Sequence, residues 1–329
     1  MKTVAVIGSN SFSGSDFVDL LLEEGDYRVL GISRSPEKSS LFLPYLTRDR
    51  SNFEFHQIDL NSGMDALAEL LDAERPAYIV NFAAQSEVGP SWENPDQWFQ
   101  TNGVAIAALG NLLKDRDWLE RYVHISSPEV YGTCEGTVTE DAPINPSTPY
   151  AASKAAGDLM LSTLVKNFDF PLVTIRGTNV YGEHQQLFKI IPRSAIYLKL
   201  GRRIGLHGGG RAVKSYIHIR DVSRGELAAM EDGRPGELYH LSPDQGVEVR
   251  EVVRTICARM GRDFEESTEV AEERLGQDKA YVIDSTKARS ELGWRPEIGL
   301  EEGIDRVVTW VEAEWEHIRD QPLEYVHKP

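Results

Sequence analysis

The sequence has few cysteines, no long apolar run and no excess of basic charge. Its two cysteines, Cys134 and Cys257, are far apart, which excludes a disulfide framework or a cysteine-based metal site and favours a reducing compartment. No stretch approaches the roughly eighteen consecutive apolar residues of a membrane span. The first residues also lack the apolar segment of a signal peptide. The sequence therefore predicts a cytoplasmic protein with no membrane and no metal among its partners.

Acidic residues outnumber basic ones, 52 to 35, and the formal net charge is −17. This balance argues against nucleic acid or an anionic membrane as a partner, because both carry negative charge. A phosphate-bearing ligand would need a local basic pocket. The 329 residues, 41% of them hydrophobic, are enough for two domains or one large unit with a sizeable core.

Short apolar runs alternate with helical periodicity over the first half of the chain. The predicted strands are Thr3–Ile7, Tyr27–Ile32, Phe53–Gln57, Tyr78–Phe82, Arg121–Ser126 and Leu172–Arg176. The predicted helices are Phe12–Glu23, Met64–Leu71, Asp96–Lys114 and Pro149–Lys166. This alternation predicts an α/β fold with a doubly wound, Rossmann-type parallel sheet covered on both faces.

The pattern changes after about residue 177, where glycines cluster and segments shorten. We predict a dinucleotide-binding domain at 1–177, with later strands added from about 205–235, and a smaller α/β substrate-binding domain at 178–329. Amphipathic helices are predicted at Val247–Met260 and Leu300–Ile318. The final segment, from about residue 320, is expected to be a loose tail.

A loop with glycines at both ends, Gly8–Gly14, follows the first strand and opens the first helix. A dinucleotide pyrophosphate binds at such a helix N-terminus. Ser11 stands where the usual fingerprint has its middle glycine, and its N–H is still available for the ligand. An ordinary βα turn is the alternative.

The second strand ends in Ser33-Arg34-Ser35, without the acid that usually binds the ribose hydroxyls of NAD. Arg34 and the two serines are suited to a 2′-phosphate, so we predict NADP. NAD is the alternative, with Arg34 a solvated surface charge. Asp59, after the third strand, is placed either to reach the adenine or to cap a helix.

Tyr150 and Lys154 lie four residues apart and share one face of a predicted helix. A nearby ammonium favours the phenolate, and we expect it to lower the pKa of Tyr150 toward neutrality. A phenolate beside a nicotinamide takes a hydroxyl proton while hydride leaves for the cofactor. An exposed helix pair is the alternative, but the upstream run Ser126–Gly132 supports the catalytic interpretation.

Together these motifs resemble the extended short-chain dehydrogenase/reductase family, and within it the nucleotide-sugar 4,6-dehydratases of the dTDP-glucose and GDP-mannose types. The matching stretches run through almost the whole chain. They are Gly8–Gly14, Asn81–Ser86, Ser126–Gly132, Tyr150–Lys154, Arg176–Gly182, Arg274–Tyr281 and Leu292–Pro296.

The resemblance implies a reaction in three stages. The C4 hydroxyl of an NDP-hexose is oxidised, Glu129 removes the C5 proton as water leaves from C6, and hydride returns to C6. The cofactor is then tightly bound and regenerated in each cycle. Ser127 would hydrogen-bond the C4 oxygen beside Tyr150. For Glu129 and Ser127 the alternatives are a solvated glutamate and a buried structural serine. Pro128 departs from the dTDP-glucose branch, where an aspartic acid protonates the leaving hydroxyl.

The resemblance also assigns substrate and cofactor contacts. Phosphate or sugar contacts are expected from Ser86, Asn179, Lys189, Arg211, Lys214 and Arg274. Cofactor contacts are expected from Gly8, Asn10, Ser11, Phe12, Ser13, Gly14, Ser33, Arg34, Ser35, Asp59, Leu60, Ala83, Ala84, Gln85, Tyr150 and Lys154.

Other functions and the assembly state complete these expectations. A nucleotide-sugar 4-epimerase or reductase would share every residue except the use of Glu129. A non-catalytic NAD(P)-binding sensor or interaction module is the alternative from another class. Family analogy further implies a homodimer that pairs Asp96–Lys114 and Pro149–Lys166 with their copies in a four-helix bundle.

Overall fold

The structure, a computed structural model, describes residues 1–133, 136–272 and 280–328. In chain order its strands are β1 Lys2–Ile7, β2 Tyr27–Ser33, β3 Phe53–Gln57, β4 Tyr78–Asn81, β5 Arg121–Ile125, β6 Thr137–Val138, β7 Leu172–Gly177, β8 Asn179–Tyr181, β9 Ile204–His207, β10 Val213–Lys214, β11 Tyr216–His218, β12 Leu238–Leu241, β13 Val247–Glu248, β14 Thr268–Ala271 and β15 Ala280–Ile283. Its α-helices are α1 Phe12–Glu24, α2 Met64–Glu74, α3 Val88–Ser91, α4 Pro95–Phe99, α5 Ala105–Leu113, α6 Pro149–Phe168, α7 Ile190–Lys199, α8 Ile219–Asp232, α9 Val249–Arg259, α10 Phe264–Ser267, α11 Thr286–Glu291, α12 Leu300–Ala313 and α13 Trp315–Ile318.

A seven-stranded parallel sheet in the order β12-β7-β5-β4-β1-β2-β3 forms the centre of the molecule. Strand β1 pairs with β2 on one side and β4 on the other, so Val4 lies beside both Val29 and Tyr78. Helices cover both faces, which is why the central strands are apolar along their whole length. The predicted doubly wound fold and its six predicted strands are confirmed.

The seventh strand differs from the prediction. It is β12, just beyond the predicted segment at about 205–235, and that segment instead contributes short outer strands and α8. Helix α8 is amphipathic and packs on α1. Arg220 of α8 pairs with Asp19 of α1 at 2.5 Å, which holds this helix against the sheet layer.

Residues after β7 also build a second hydrophobic cluster away from the sheet. Helices α7, α9 and α12 pack together there around Ile196, Ile256 and Val308. The two amphipathic helices predicted in this half are present as α9 and as α12 with α13. The division into domains at residue 177 stays a prediction. Within the described residues, no helix is both long and apolar enough to cross a membrane.

The predicted helix Asp96–Lys114 is interrupted by a π-helical turn at Gln100–Val104, between α4 and α5. Asn102 of this turn is buried and faces α6. A Cβ on Gly157 of α6 would lie 2.5 Å from the Asn102 carbonyl oxygen, so only glycine lets the two helices approach this closely. The turn therefore fixes how α6 lies against its neighbour.

Candidate active site

A cavity of about 270 Å³ opens at the carboxyl ends of the parallel strands. Loops after β1, β4, β5 and β7 line it, together with the start of α6 and part of α8. Among the predicted site residues it brings together Ser11, Phe12, Ser13, Ala84, Ser86, Ser127, Glu129, Tyr150, Lys154, Asn179 and Lys189. Ligands of open α/β sheets bind at this edge.

The glycine loop after β1 has the geometry of a dinucleotide cradle. Gly8 has a φ of +88°, and a Cβ there would lie 2.7 Å from the backbone nitrogen of Ala83. A Cβ on Gly14 would lie 2.3 Å from the Gly8 carbonyl oxygen. Ser11 is the N-cap of α1 and accepts a hydrogen bond from the Gly14 N–H at 3.0 Å. The Ser11 N–H donates to the Gly8 carbonyl at 2.9 Å, so the expectation that it is available for the ligand is wrong. The serine shapes the turn through its side chain, and the loop fits a pyrophosphate.

The loop after β2 is tied to the glycine loop through Asn10. The buried Ser33 hydroxyl accepts from the Asn10 N–H at 2.9 Å, and Asn10 Nδ2 donates to the Ser35 carbonyl at 2.8 Å. Ser33 and Ser35 thus also hold this wall in place. Lys38, which the sequence analysis missed, donates to the Asn10 carbonyl at 3.1 Å and joins Arg34 at this end of the site.

The remaining predicted cofactor residues mostly hold the backbone of this edge. Asp59 accepts from the Asn61 N–H at 2.9 Å, so its side chain stabilises a local turn. It does not cap α2, whose N-cap is Gly63. Leu60 is buried, and the Ala83 N–H donates to the Asn81 side chain at 3.1 Å.

The expected effect of Lys154 on Tyr150 is wrong for the chain by itself. Burial raises the pKa of Tyr150, the nearby Glu129 carboxylate raises it further, and a hydrogen bond with Ser127 lowers it. Lys154 instead donates to the Ile125 carbonyl of β5 at 2.7 Å. Burial lowers the pKa of Lys154 to about 8, against the opposing charge of Asp158. In the chain by itself, Tyr150 therefore stays protonated.

Asp158 is the buried centre of a charge network beneath the site, and the sequence analysis missed it. Its carboxylate lies 2.7 Å from the Arg176 guanidinium and 3.3 Å from the His124 ring, and it accepts from Ser126 at 2.6 Å. Charges and hydrogen bonds from His124, Arg176 and Lys154 outweigh burial and lower the pKa of Asp158. Its spacing, four residues beyond Lys154, is the sequence signal that could have identified it.

Ser127, Pro128 and Glu129 form part of the cavity wall. A 3₁₀ turn at Pro128–Tyr131 begins at Ser127, whose hydroxyl accepts from the Glu129 N–H at 3.3 Å. The Glu129 carboxylate is close enough to Tyr150 to raise its pKa. The structure therefore brings a hydroxyl, a phenol and a carboxylate together in one cavity.

The predicted substrate residues fall into three groups. Ser86, Asn179 and Lys189 line the cavity, and Lys189 forms an ion pair with Glu87 at 2.6 Å. Arg211, which is exposed, and Lys214 of β10 are not part of its lining. Arg274 lies outside the described residues.

Two further residues of this region were not predicted. Asn102 accepts from the Gln85 N–H at 2.9 Å and donates to Ser153 of α6 at 2.9 Å, which joins the β4 loop to the catalytic helix. Glu226 of α8 lines the cavity, and burial raises its pKa well above the usual value. Two sequence signals could have identified them: Asn102 is an asparagine within a predicted helix, and Glu226 is a glutamate on the apolar face of a helix.

The lowered pKa of Lys154 predicts a pH-dependent stability. Its folded pKa of about 8 lies below its unfolded value of 10.5, so between these values the unfolded chain binds more protons and stability rises with pH. Relative to Lys154→Met, the wild type should gain on the order of 3 kcal/mol of unfolding free energy from about pH 7 to about pH 10. Urea unfolding at each pH measures this.

Lys166→Met, at an exposed lysine near the end of the same helix, is the matched control. Its unfolding free energy should follow that of the wild type across the pH range. Parallel curves for wild type and Lys154→Met would contradict the assignment of a lowered pKa.

Comparisons with known proteins agree with this geometry. A sequence model described as GDP-mannose 4,6 dehydratase matches residues 6–307. A dTDP-glucose 4,6-dehydratase of Xanthomonas campestris pv. campestris is 30% identical over an alignment of 329 positions, which covers 94% of this chain and 93% of that protein.

Solved structures of nucleotide-sugar enzymes also resemble this chain. A dTDP-glucose 4,6-dehydratase from Streptomyces venezuelae, with NAD and TYD bound, superposes with a TM-score of 0.88 at 30% identity, over 96% of this chain and 98% of the other. A UDP-glucuronic acid 4-epimerase from Bacillus cereus, 24% identical over 94% and 99% of the two chains, shares the fold with a TM-score of 0.86. The chain therefore belongs to the GDP-mannose 4,6 dehydratase family of extended short-chain dehydrogenase/reductases.

Proposed function

We propose that this protein is a nucleotide-sugar 4,6-dehydratase that converts an NDP-hexose into an NDP-4-keto-6-deoxyhexose with loss of water. The observation that carries the proposal is Glu129, whose carboxylate lies close to Tyr150 and Ser127 in one cavity. Elimination needs a base for the C5 proton in addition to the group that takes the C4 hydroxyl proton.

Each residue has a defined task in this reaction. A bound nicotinamide dinucleotide supplies the hydride acceptor and a positive charge that favours the phenolate. Tyr150 takes the proton of the C4 hydroxyl, whose oxygen Ser127 also contacts. The resulting C4 ketone acidifies C5, and Glu129 removes the C5 proton as the C6 hydroxyl departs. With the dinucleotide bound, the hydride would return to C6. A solvent proton relayed by Glu129 then reaches C5, and Tyr150 releases the proton it took from the C4 hydroxyl to solvent.

The departing C6 hydroxyl must take up a proton, and Pro128 has none to give. Glu129 holds the C5 proton at that moment, so we infer that the same carboxyl, directly or through water, passes it to the leaving hydroxyl. Pro128 is buried at the first position of the 3₁₀ turn, where its fixed φ and missing N–H suit the geometry. Glu129 is therefore the one acidic side chain that this turn places in the cavity, since position 128 is a proline.

A 4-epimerase or reductase is the second candidate, because it needs Tyr150, Lys154 and Ser127 but no base at Glu129. The Bacillus cereus epimerase shows that this fold also occurs in such an enzyme. A non-catalytic sensor is disfavoured, because Tyr150, Lys154, Ser127 and Glu129 all line the same cavity.

Mass spectrometry of UDP-, dTDP-, GDP- and CDP-hexoses after incubation with the protein tests the proposed reaction. Dehydration lowers the mass of one substrate by one water. Glu129→Gln should slow water loss by about 10²- to 10⁴-fold, because the amide cannot accept the C5 proton. Oxidation at C4 should persist in this variant, as the near-ultraviolet absorbance of the reduced dinucleotide reports.

Tyr150→Phe is the companion variant and should lose both water elimination and reduction of the bound dinucleotide. Full dehydration by Glu129→Gln would assign the C5 base elsewhere. No mass change with any substrate, together with an epimerised product, would replace the dehydratase by the epimerase.

For the cofactor we infer a preference for NADP, although the Streptomyces venezuelae relative was solved with NAD. The loop after β2 carries Ser33 in place of an acid, and Arg34 and Lys38 add two cations beside it. Arginine binds phosphate oxygens in a planar fork, which suits a 2′-phosphate.

Arg34→Ala should weaken NADP binding about tenfold to a hundredfold and NAD binding much less, because only NADP has the phosphate. Ser33→Asp is the matched variant, since a carboxylate still accepts from the Asn10 N–H but repels the phosphate. Calorimetric titration with both dinucleotides measures each affinity. Equal losses for NAD and NADP in Arg34→Ala would show that the arginine does not recognise the 2′-phosphate.

Substrate binding is proposed for the half of the chain at 178–329. Asn179 and Lys189 line the cavity on that side, and Ser86 faces them from the β4 loop. The charge of Lys189 offsets diphosphate charge in a chain whose net charge is −17. Nucleotide-sugar chemistry and the low cysteine content agree with the cytoplasmic location expected from composition.

The assembly we propose is a homodimer through a four-helix bundle of Asp96–Lys114 and α6 with their copies. Large apolar side chains are exposed on these elements: Phe99 is 41%, Val104 55% and Leu159 56% exposed. Exposed apolar patches of this kind mark protein interfaces.

A charge in this patch should break the dimer. The double variant Val104→Asp with Leu159→Asp should sediment as a monomer, because the interface would have to bury four carboxylates. Val270→Asp, at a residue that is 80% exposed on β14, is the control and should remain dimeric. A wild-type monomer, or a dimer unaffected by the double variant, would contradict this assembly.

A further inference from the structure

The segment 323–328, expected to be a loose tail, instead packs across the edge of the sheet where the predicted cofactor residues lie. We call this segment the strap. Leu323 packs against the second hydrophobic cluster. The Tyr325 ring lies edge-on to Phe188, with ring centres 5.5 Å apart. The strap therefore begins on the substrate side of the cavity.

Its other end is held by the first half of the chain. The His327 ring stacks on Trp98 with ring centres 5.3 Å apart and an interplanar angle of 14°. Its Nε2 lies 2.6 Å from the Gln97 side-chain oxygen, and its Nδ1 lies 3.1 Å from the Tyr325 hydroxyl. Trp98 is fully buried, so the stacking contact rests on a fixed surface.

A contact made by the Lys328 backbone sets the position of the strap. The Lys328 carbonyl accepts from Gln85 Nε2 at 2.8 Å and from Arg34 Nη2 at 3.0 Å. Gln85 follows β4 and Arg34 follows β2, and these two strands flank β1 in the sheet. A backbone atom that contacts both therefore lies across the end of β1, where the glycine loop binds a pyrophosphate.

The strap also adds charge at this end of the site. Lys328 is close enough to Lys38 to lower the pKa of Lys38, although burial is the larger cause. Lys38 in turn holds the Asn10 carbonyl in the glycine loop. Arg34, Lys38 and Lys328 thus bring three cations together, an arrangement suited to phosphate oxygens.

We propose that the strap closes over the bound dinucleotide and slows its release, with Lys328 as an additional phosphate ligand. The inference rests on the proposed function, in which hydride leaves C4 and returns to C6 of the same sugar. Loss of the reduced cofactor between these two steps would strand the 4-keto intermediate, so retention serves the reaction directly. The strap also connects the cofactor side of the cleft to the substrate side.

The test measures release of the reduced dinucleotide from the purified protein without any sugar. NADPH is bound, energy transfer from the tryptophans is recorded, and excess NADP⁺ is mixed in to follow dissociation. Ending the chain at Leu323 should speed release about tenfold to a hundredfold, because the hydrogen bonds and the stacking contact that hold the strap are lost. His327→Ala, which removes one anchor and leaves the chain intact, should speed release several-fold. Lys328→Ala should weaken NADPH binding more than NADH binding.

Arg319→Ala is the control, since this exposed residue precedes the strap and pairs with Glu316. It should release NADPH at the wild-type rate. Unchanged release from both the truncated chain and His327→Ala would overturn the proposal. Tighter binding after truncation would also overturn it, because the segment would then compete with the cofactor.

The dehydratase proposal and the strap proposal are tested by different measurements, namely the mass of the product and the rate of dinucleotide release. A strap without effect leaves dehydration detectable as a mass change. A protein that dehydrates no nucleotide sugar still reports strap function through its release rates, with NADH as the probe if NADPH binds weakly.

Discussion

The buried carboxylate of Asp158 is the interaction on which the site depends. It faces Arg176 of β7 and His124 of β5, so one side chain of α6 joins the helix to two central strands. A buried carboxylate without partners would be strongly destabilising, which forces α6 into the one register that provides them. That register places Lys154 against the end of β5 and Tyr150 in the lining of the cavity. The positions of the catalytic side chains are thus set by the buried interactions of Asp158 with Arg176 and His124.

The sequence could predict the sheet and its helices because their signals are local. Strand β3 was predicted to its exact ends, and β1, β2, β4, β5 and β7 within a residue at either end, because each is a short apolar run bounded by turn residues. The last strand, β12, was misplaced because its pairing with β7 joins residues far apart in the chain. Periodicity within a window contains no information about such a partner.

The candidate site likewise has residues that the sequence could identify and properties that only the three-dimensional structure reveals. Tyr150, Lys154, Ser127 and Glu129 could be found from spacing and resemblance, and the structure gathers them in one cavity. The direction of the Tyr150 pKa could not be found, because it depends on burial and on which acceptor Lys154 chooses. The substrate side was predicted least well: Arg211 and Lys214 lie off the cavity lining, and their positions depend on how short outer strands pack.

The π-helical turn at Gln100–Val104 works as a phase shift in an otherwise regular helix. Each residue advances an α-helix by about 100° of rotation, so one extra residue in a turn redirects everything after it. With the insertion, Asn102 meets Gln85 and Ser153 while the apolar stripe of α5 still faces the sheet. An ideal helix of the same sequence would satisfy one of these requirements and lose the other. Shortening the turn by one residue would therefore turn the asparagine away from the β4 loop without altering any residue of the catalytic set.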